Sequence, residues 1–78
     1  MEIKVIGSGC ERCNKLYENL MLALDELPIE AKVIKVERLA DILSLGIMTI
    51  PAVMINGKLK SSGQVLSKDK LKKILKSV

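Results

Sequence analysis

Apolar and polar positions alternate over the opening residues and then change to a helical period. In Glu2 to Ile6, Ile3 and Val5 fall on one side of an extended chain, and Glu2, Lys4 and Ile6 on the other. This β-branched run predicts a strand whose Glu2 and Lys4 side is only partly covered. Leu16, Leu20, Ala23, Leu24 and Leu27 then recur at helical spacing, with Tyr17 and Met21 beside them and Glu11, Lys15, Glu18 and Asp25 on the outer side. Cys13 falls in the first turn of that helix, which should end near Glu26 because Pro28 excludes helical geometry before it. Residues 30–36 alternate imperfectly and carry lysines, which suits an edge strand. A short helix over 38–45 would turn Leu39, Ile42 and Leu43 inward and end on Gly46. Pro51 belongs at the mouth of a strand over 52–55, and Asn56-Gly57 signals a tight hairpin into a strand over 58–61. After the turn at Ser62-Gly63-Gln64, Ser67 can cap a final helix over 67–78, with Asp69 in its first turn and Leu71, Ile74, Leu75 and Val78 inward.

The resulting order is βαβα followed by ββα. A right-handed helical crossover makes the first two strands parallel, while the hairpin adds antiparallel strands. The expected fold is therefore α/β, a mixed four-stranded sheet with three helices, in a single domain spanning residues 1–78. The rival order βαββαβ needs a strand where 38–45 reads as helix, and a strand at the chain end where the pattern is helical.

Composition narrows the classes. Hydrophobic residues make up 49% of the chain, yet Phe and Trp are absent and Tyr17 is the sole aromatic, so aliphatic side chains must build the core, with Met48 and Met54 as fillers. The net charge of +4 is concentrated where Lys68, Lys70, Lys72, Lys73 and Lys76 face Asp69 alone. Without aromatic or arginine-rich surface to read bases, this is expected to be a solvated helix face, with no nucleic-acid partner. The first apolar run is too short for a signal peptide, and no stretch reaches membrane-spanning length. A cytoplasmic protein with no membrane partner is expected.

The candidate chemistry lies in Gly7-Ser8-Gly9-Cys10-Glu11-Arg12-Cys13, between the first strand and the first helix. Cys10 falls at the helix cap, where unsatisfied amides and the positive end of the dipole favour a thiolate. Such a site lowers a thiol pKa below its ordinary value of about 8.5. A cap residue opens outward, whereas a side chain in the first turn is directed back toward the packed face. Cys10 is thus the expected exposed thiol and Cys13 the shielded one. The spacing permits a disulfide without requiring one, and two thiolates could also hold Cu(I). A structural zinc site is weakly supported, since there is no histidine and no third cysteine.

Cys10-Glu11-Arg12-Cys13 at a helix start, together with Thr49-Ile50-Pro51 before a strand and an Asn-Gly hairpin, resembles the thioredoxin and glutaredoxin superfamily. The chain is most similar to the small redox-active disulfide proteins of archaea and bacteria. The resemblance implies a thioredoxin-like fold and a protein disulfide oxidoreductase that needs no cofactor or metal. It makes Cys10 the nucleophile and Cys13 the resolving thiol. It also implies a cis Pro51 lying against the disulfide, with backbone atoms of Ile50 offered to the substrate. Thr49, Ile50 and Pro51, together with Gly9, Arg12 and Gly63, are the expected substrate-binding residues. Expected partners are protein disulfides and either an unidentified reductase or a low-molecular-weight thiol, with the chain acting as a monomer. This sequence departs from the family in carrying Glu11-Arg12 between the cysteines, no Trp before Cys10, and Gln64-Val65 after Ser62-Gly63. Lys4 is the only charged residue deep in the first strand, where thioredoxins bury an aspartate. The alternative function is soft-metal binding or transfer, Cu(I) or similar, by the same two cysteines.

Overall fold

In the computed structural model, which describes residues 1–78, the chain runs β1 (Glu2–Ile6), α1 (Glu11–Asp25), β2 (Lys32–Val36), α2 (Leu39–Ser44), β3 (Ala52–Ile55), β4 (Lys58–Ser62) and α3 (Lys68–Lys76). The strands form one four-stranded sheet in the order β2-β1-β3-β4. Crossing over through α1 leaves β2 parallel to β1, whereas β3 runs antiparallel to both β1 and β4. The β3–β4 hairpin turns on Asn56 (φ 51°) and Gly57 (φ 83°), the left-handed pair that a tight hairpin requires. Asn56 also pins the tip to the start of β1: its Oδ1 accepts the Glu2 N–H at 2.9 Å, and its own N–H donates to the Glu2 carbonyl at 2.8 Å.

Alternation along β1 divides the core in two. Ile3 and Val5, with Val53 and Ile55 of β3, pack beneath Leu16, Leu20 and Ala23 of α1 and Leu71 and Leu75 of α3. On the opposite face Ile6 and Ala52 meet Ile42 of α2 and Ile47 in a smaller cluster. Because α2 has six residues, it covers only one end of this face, and Lys4 remains partly exposed beyond it. The long helices are tied across their ends by Glu26, the C-cap of α1, which binds Lys68 at 2.5 Å and Lys72 at 2.8 Å. Hydrogen bonds from Lys68 and then Lys72 hold the Glu26 carboxyl at about 2, well below its ordinary 4.5, and raise Lys68 in return.

Several expectations are corrected. Leu39 and Leu43 do not point inward; they are 67% and 62% exposed. The small patch of sheet under α2 is filled by Ile42, with Leu45 and Ile47 from the following loop occupying the neighbouring positions. Met48 is no core filler, at 94% exposed, because it lies on that loop, whereas Met54 does pack against the smaller cluster. Beta strand β2 begins at Lys32, later than expected, and α3 ends at Lys76 with Ser77 as its cap, leaving Val78 outside the helix and half exposed.

Candidate active site

At the end of β1, Gly7 continues the parallel pairing by donating its N–H to the Val36 carbonyl at 2.9 Å. Gly7 is buried, and the space a side chain would take there is occupied by the Sγ and Cβ of Cys13. The chain then turns through Gly9, at φ 77°, into α1. Cys10 is the N-cap, and its Sγ accepts the Cys13 N–H at 3.2 Å. Cys10 and Cys13 are joined in a disulfide with a Cα–Cα distance of 5.1 Å. The partners differ in access: Cys10 is exposed, whereas Cys13 is 5% exposed beneath the turn.

Antiparallel pairing sets the opposite wall. Ile6 pairs with Ala52, so the chain leaving β1 at Gly7 lies level with Pro51, where β3 begins. The Ile50-Pro51 bond is cis, and Pro51 is buried. Neither the N–H nor the carbonyl of Ile50 is engaged within the protein, whereas the Pro51 carbonyl accepts the Gly63 N–H at 2.8 Å. Ser62 Oγ donates to the Thr49 carbonyl at 2.9 Å and also contacts Thr49 Oγ1. The Arg12 guanidinium reaches across from α1 and donates to the Gly63 carbonyl at 2.9 Å. Hydrogen bonds thus link Arg12, Gly63 and Pro51 in one network, and Ser62, the residue before Gly63, separately ties down Thr49.

Beside this network Ser8, Leu39, Ile42, Leu43, Ile47, Met48 and Ile50 line an open groove of about 280 Å³, apolar except for Ser8. Sequence reasoning placed Leu39, Leu43 and Met48 in the core and so missed the groove. It also missed the roles of Gly7 and Ser62. A glycine immediately after the strand was the available sign for Gly7, but only packing reveals that its vacant side-chain space belongs to Cys13. No group of three or more His, Cys, Asp or Glu side chains is arranged to hold a metal ion. The element order is βαβαββα and not the rival βαββαβ, and the soft-metal alternative is not favoured.

Comparison with known proteins agrees with this geometry. Residues 1–76 match the family described as Thioredoxin domain. A protein named Thioredoxin from Methanothermobacter thermautotrophicus is 39% identical over 75 residues, covering 96% of this chain and 97% of the relative. Another protein named Thioredoxin, from Methanocaldococcus jannaschii, is 35% identical over 75 residues, covering 96% of this chain and 86% of the relative. With fold, matched length and both relatives in accord, the chain belongs to the thioredoxin family and is a thiol-disulfide oxidoreductase.

Proposed function

We propose that Cys10 is the nucleophile and Cys13 the resolving thiol in exchange with protein disulfides. The observation that carries this assignment is the unequal access of the pair, Cys10 open at the helix cap and Cys13 held under Gly7. In the reduced protein the Cys10 thiolate attacks one sulfur of a substrate disulfide. A mixed disulfide forms, and the other substrate sulfur leaves as a thiolate. Cys13, deprotonated, then attacks Cys10 Sγ and expels the second substrate thiolate. Two electrons have passed to the substrate, and the Cys10-Cys13 disulfide remains. The same steps run backward when the oxidised pair meets a dithiol.

A polypeptide substrate suits the surroundings. The free N–H and carbonyl of Ile50 can pair with an extended segment, and the adjoining groove can receive an apolar side chain from it. Gly9, Thr49 and Pro51 border the same approach, while Arg12 and Gly63 hold its far side. A protein reductase or a low-molecular-weight thiol completes the cycle in this thioredoxin/glutaredoxin-like scheme. Residues 1–78 act as one monomeric domain in the cytoplasm, without nucleic-acid or membrane partners; no helix is long and apolar enough to cross a membrane. Two of the α3 lysines, Lys68 and Lys72, are already engaged by Glu26, which supports a structural role for that helix.

Mass spectrometry of cysteine variants tests the assignment. Cys13→Ser should accumulate a mixed disulfide through Cys10, and Cys10→Ser should not. Faster alkylation of Cys13 than of Cys10 in the reduced wild type would reverse the roles.

A further inference from the structure

Arg12 lies between the two cysteines, yet its side chain is committed to an element far away in sequence. It is the only side chain in the first turn of α1 that bonds to a distant segment, and its acceptor is the carbonyl of Gly63 in the β4–α3 connection. The peptide N–H of that same residue is bonded to the Pro51 carbonyl at 2.8 Å. Gly63 therefore stands as a relay between the cysteine turn and the proline loop. One helical face is used twice for this purpose: Asn19, two turns beyond Arg12, donates to the Leu66 carbonyl at 2.9 Å in the same β4–α3 connection. Asn19 and the packed core also anchor the helix to that connection, so Arg12 is not its only tie.

Charge adds a second consequence. Glu11, beside Arg12, has no cationic partner, so its carboxylate opposes a thiolate at Cys10. The Arg12 guanidinium acts in the other direction, and its bond to Gly63 restricts where that positive charge can go. A planar guanidinium keeps its charge and its geometry together, unlike a flexible ammonium.

We infer that Arg12 is a positioning residue for exchange, coupling the Cys10-Cys13 turn to the Pro51 loop through Gly63 while offsetting Glu11 at the Cys10 thiolate. This rests on the exchange reading above. It also accounts for an arginine whose head is turned to a backbone carbonyl: it shapes the substrate site through Gly63 instead of binding the substrate itself.

Arg12→Lys and Arg12→Gln separate the two effects. Lysine keeps the charge and loses the planar fork, whereas glutamine loses the charge and is too short to span the same distance. In the reduced proteins, the pH dependence of Cys10 alkylation reports the thiolate, and kcat/KM with a reducible protein disulfide reports alignment. Arg12→Gln should lower the thiolate fraction at pH values below the Cys10 pKa by roughly twofold to fivefold, the range of an exposed charge pair. Arg12→Lys should leave that fraction near wild type, yet lower kcat/KM by about twofold to tenfold for the lost hydrogen bond. If both variants match wild type in pH profile and kcat/KM, or alter only the melting temperature, the inference is overturned. Wild-type protein run alongside keeps the outcomes distinct, because failure of the wild type to exchange with any disulfide would count against the exchange reading instead.

Discussion

Replacing Gly7 by alanine perturbs the disulfide from behind while both cysteines keep their identity. A Cβ built on Gly7 would overlap Cys13 Sγ and lie 2.8 Å from Cys13 Cβ, closer than real side chains approach. The neighbour cannot easily yield, because Cys13 is buried in the first turn of α1 and bonded to the cap residue. Forcing one methyl group into such a site costs about 1 to 3 kcal/mol. For a domain of this size, that corresponds to a drop in Tm of roughly 5 to 20 °C. In the dithiol, Cys13 is no longer tethered to Cys10 and can rotate away, so the oxidised form suffers more. A difference of about 1 kcal/mol between the two forms would raise the reduction potential by roughly 20 mV, making the variant the stronger oxidant. Thermal melts of oxidised and reduced protein, with thiol labelling in redox buffers, measure both quantities. An oxidised Gly7→Ala protein melting within about 2 °C of wild type would refute the packing argument, since an effect that small is typical of uncrowded surface sites.

The Glu26 clamp gives a pH-dependent result. Its carboxyl is depressed to about 2, so its contribution to stability is present above the ordinary value of 4.5 and is lost as pH falls toward 2. Melts of wild type and Glu26→Gln should therefore differ at neutral pH and converge as pH approaches 2; a constant difference across that range would contradict the clamp. In α3, chemical denaturation should show Leu71→Ala losing about 2 to 5 kcal/mol, and Lys73→Ala changing stability by less than about 0.5 kcal/mol. Equal losses would show that the buried stripe is not what anchors the helix. Leu43→Glu or Met48→Glu should slow exchange with a protein disulfide severalfold while sparing a small aromatic disulfide; parallel losses on both would remove the groove from substrate recognition.

Legibility in the sequence followed the range of the interactions concerned. The β1 alternation, the α1 stripe and the Asn56-Gly57 hairpin are local signals, and each produced the element it announces. The cysteine turn was legible because a helix cap is defined by its immediate neighbours, and the cis Pro51 followed from the family resemblance. What could not be read depended on contacts between distant segments. Arg12 meets Gly63 only after β4 has been added to the sheet, and the space beside Gly7 acquires meaning only when Cys13 fills it. Leu39 and Leu43 have helical spacing suited to burial, but the sheet beneath α2 has room for little beyond Ile42 and the loop residues. Periodicity identifies the face of a helix that can be buried; the area waiting under it decides how much of that face is.

That small second cluster bears on how the protein meets different clients. Ile6, Ile42, Ile47 and Ala52 form a core separate from the larger one under α1 and α3, and α2 is held to it chiefly through Ile42. Local stability follows the number of buried contacts, so α2 and the loop beyond it should open at lower free energy than the rest of the molecule. Native-state hydrogen exchange should find the amides of α2 in an early-opening unit, while those of β1 and α1 wait for global unfolding. The disulfide stands on the slow-opening scaffold, and the groove beside it is built partly from the fast-opening one. Reactive geometry can then stay fixed while the docking surface is remoulded, which permits one invariant thiol chemistry to serve clients of differing shape.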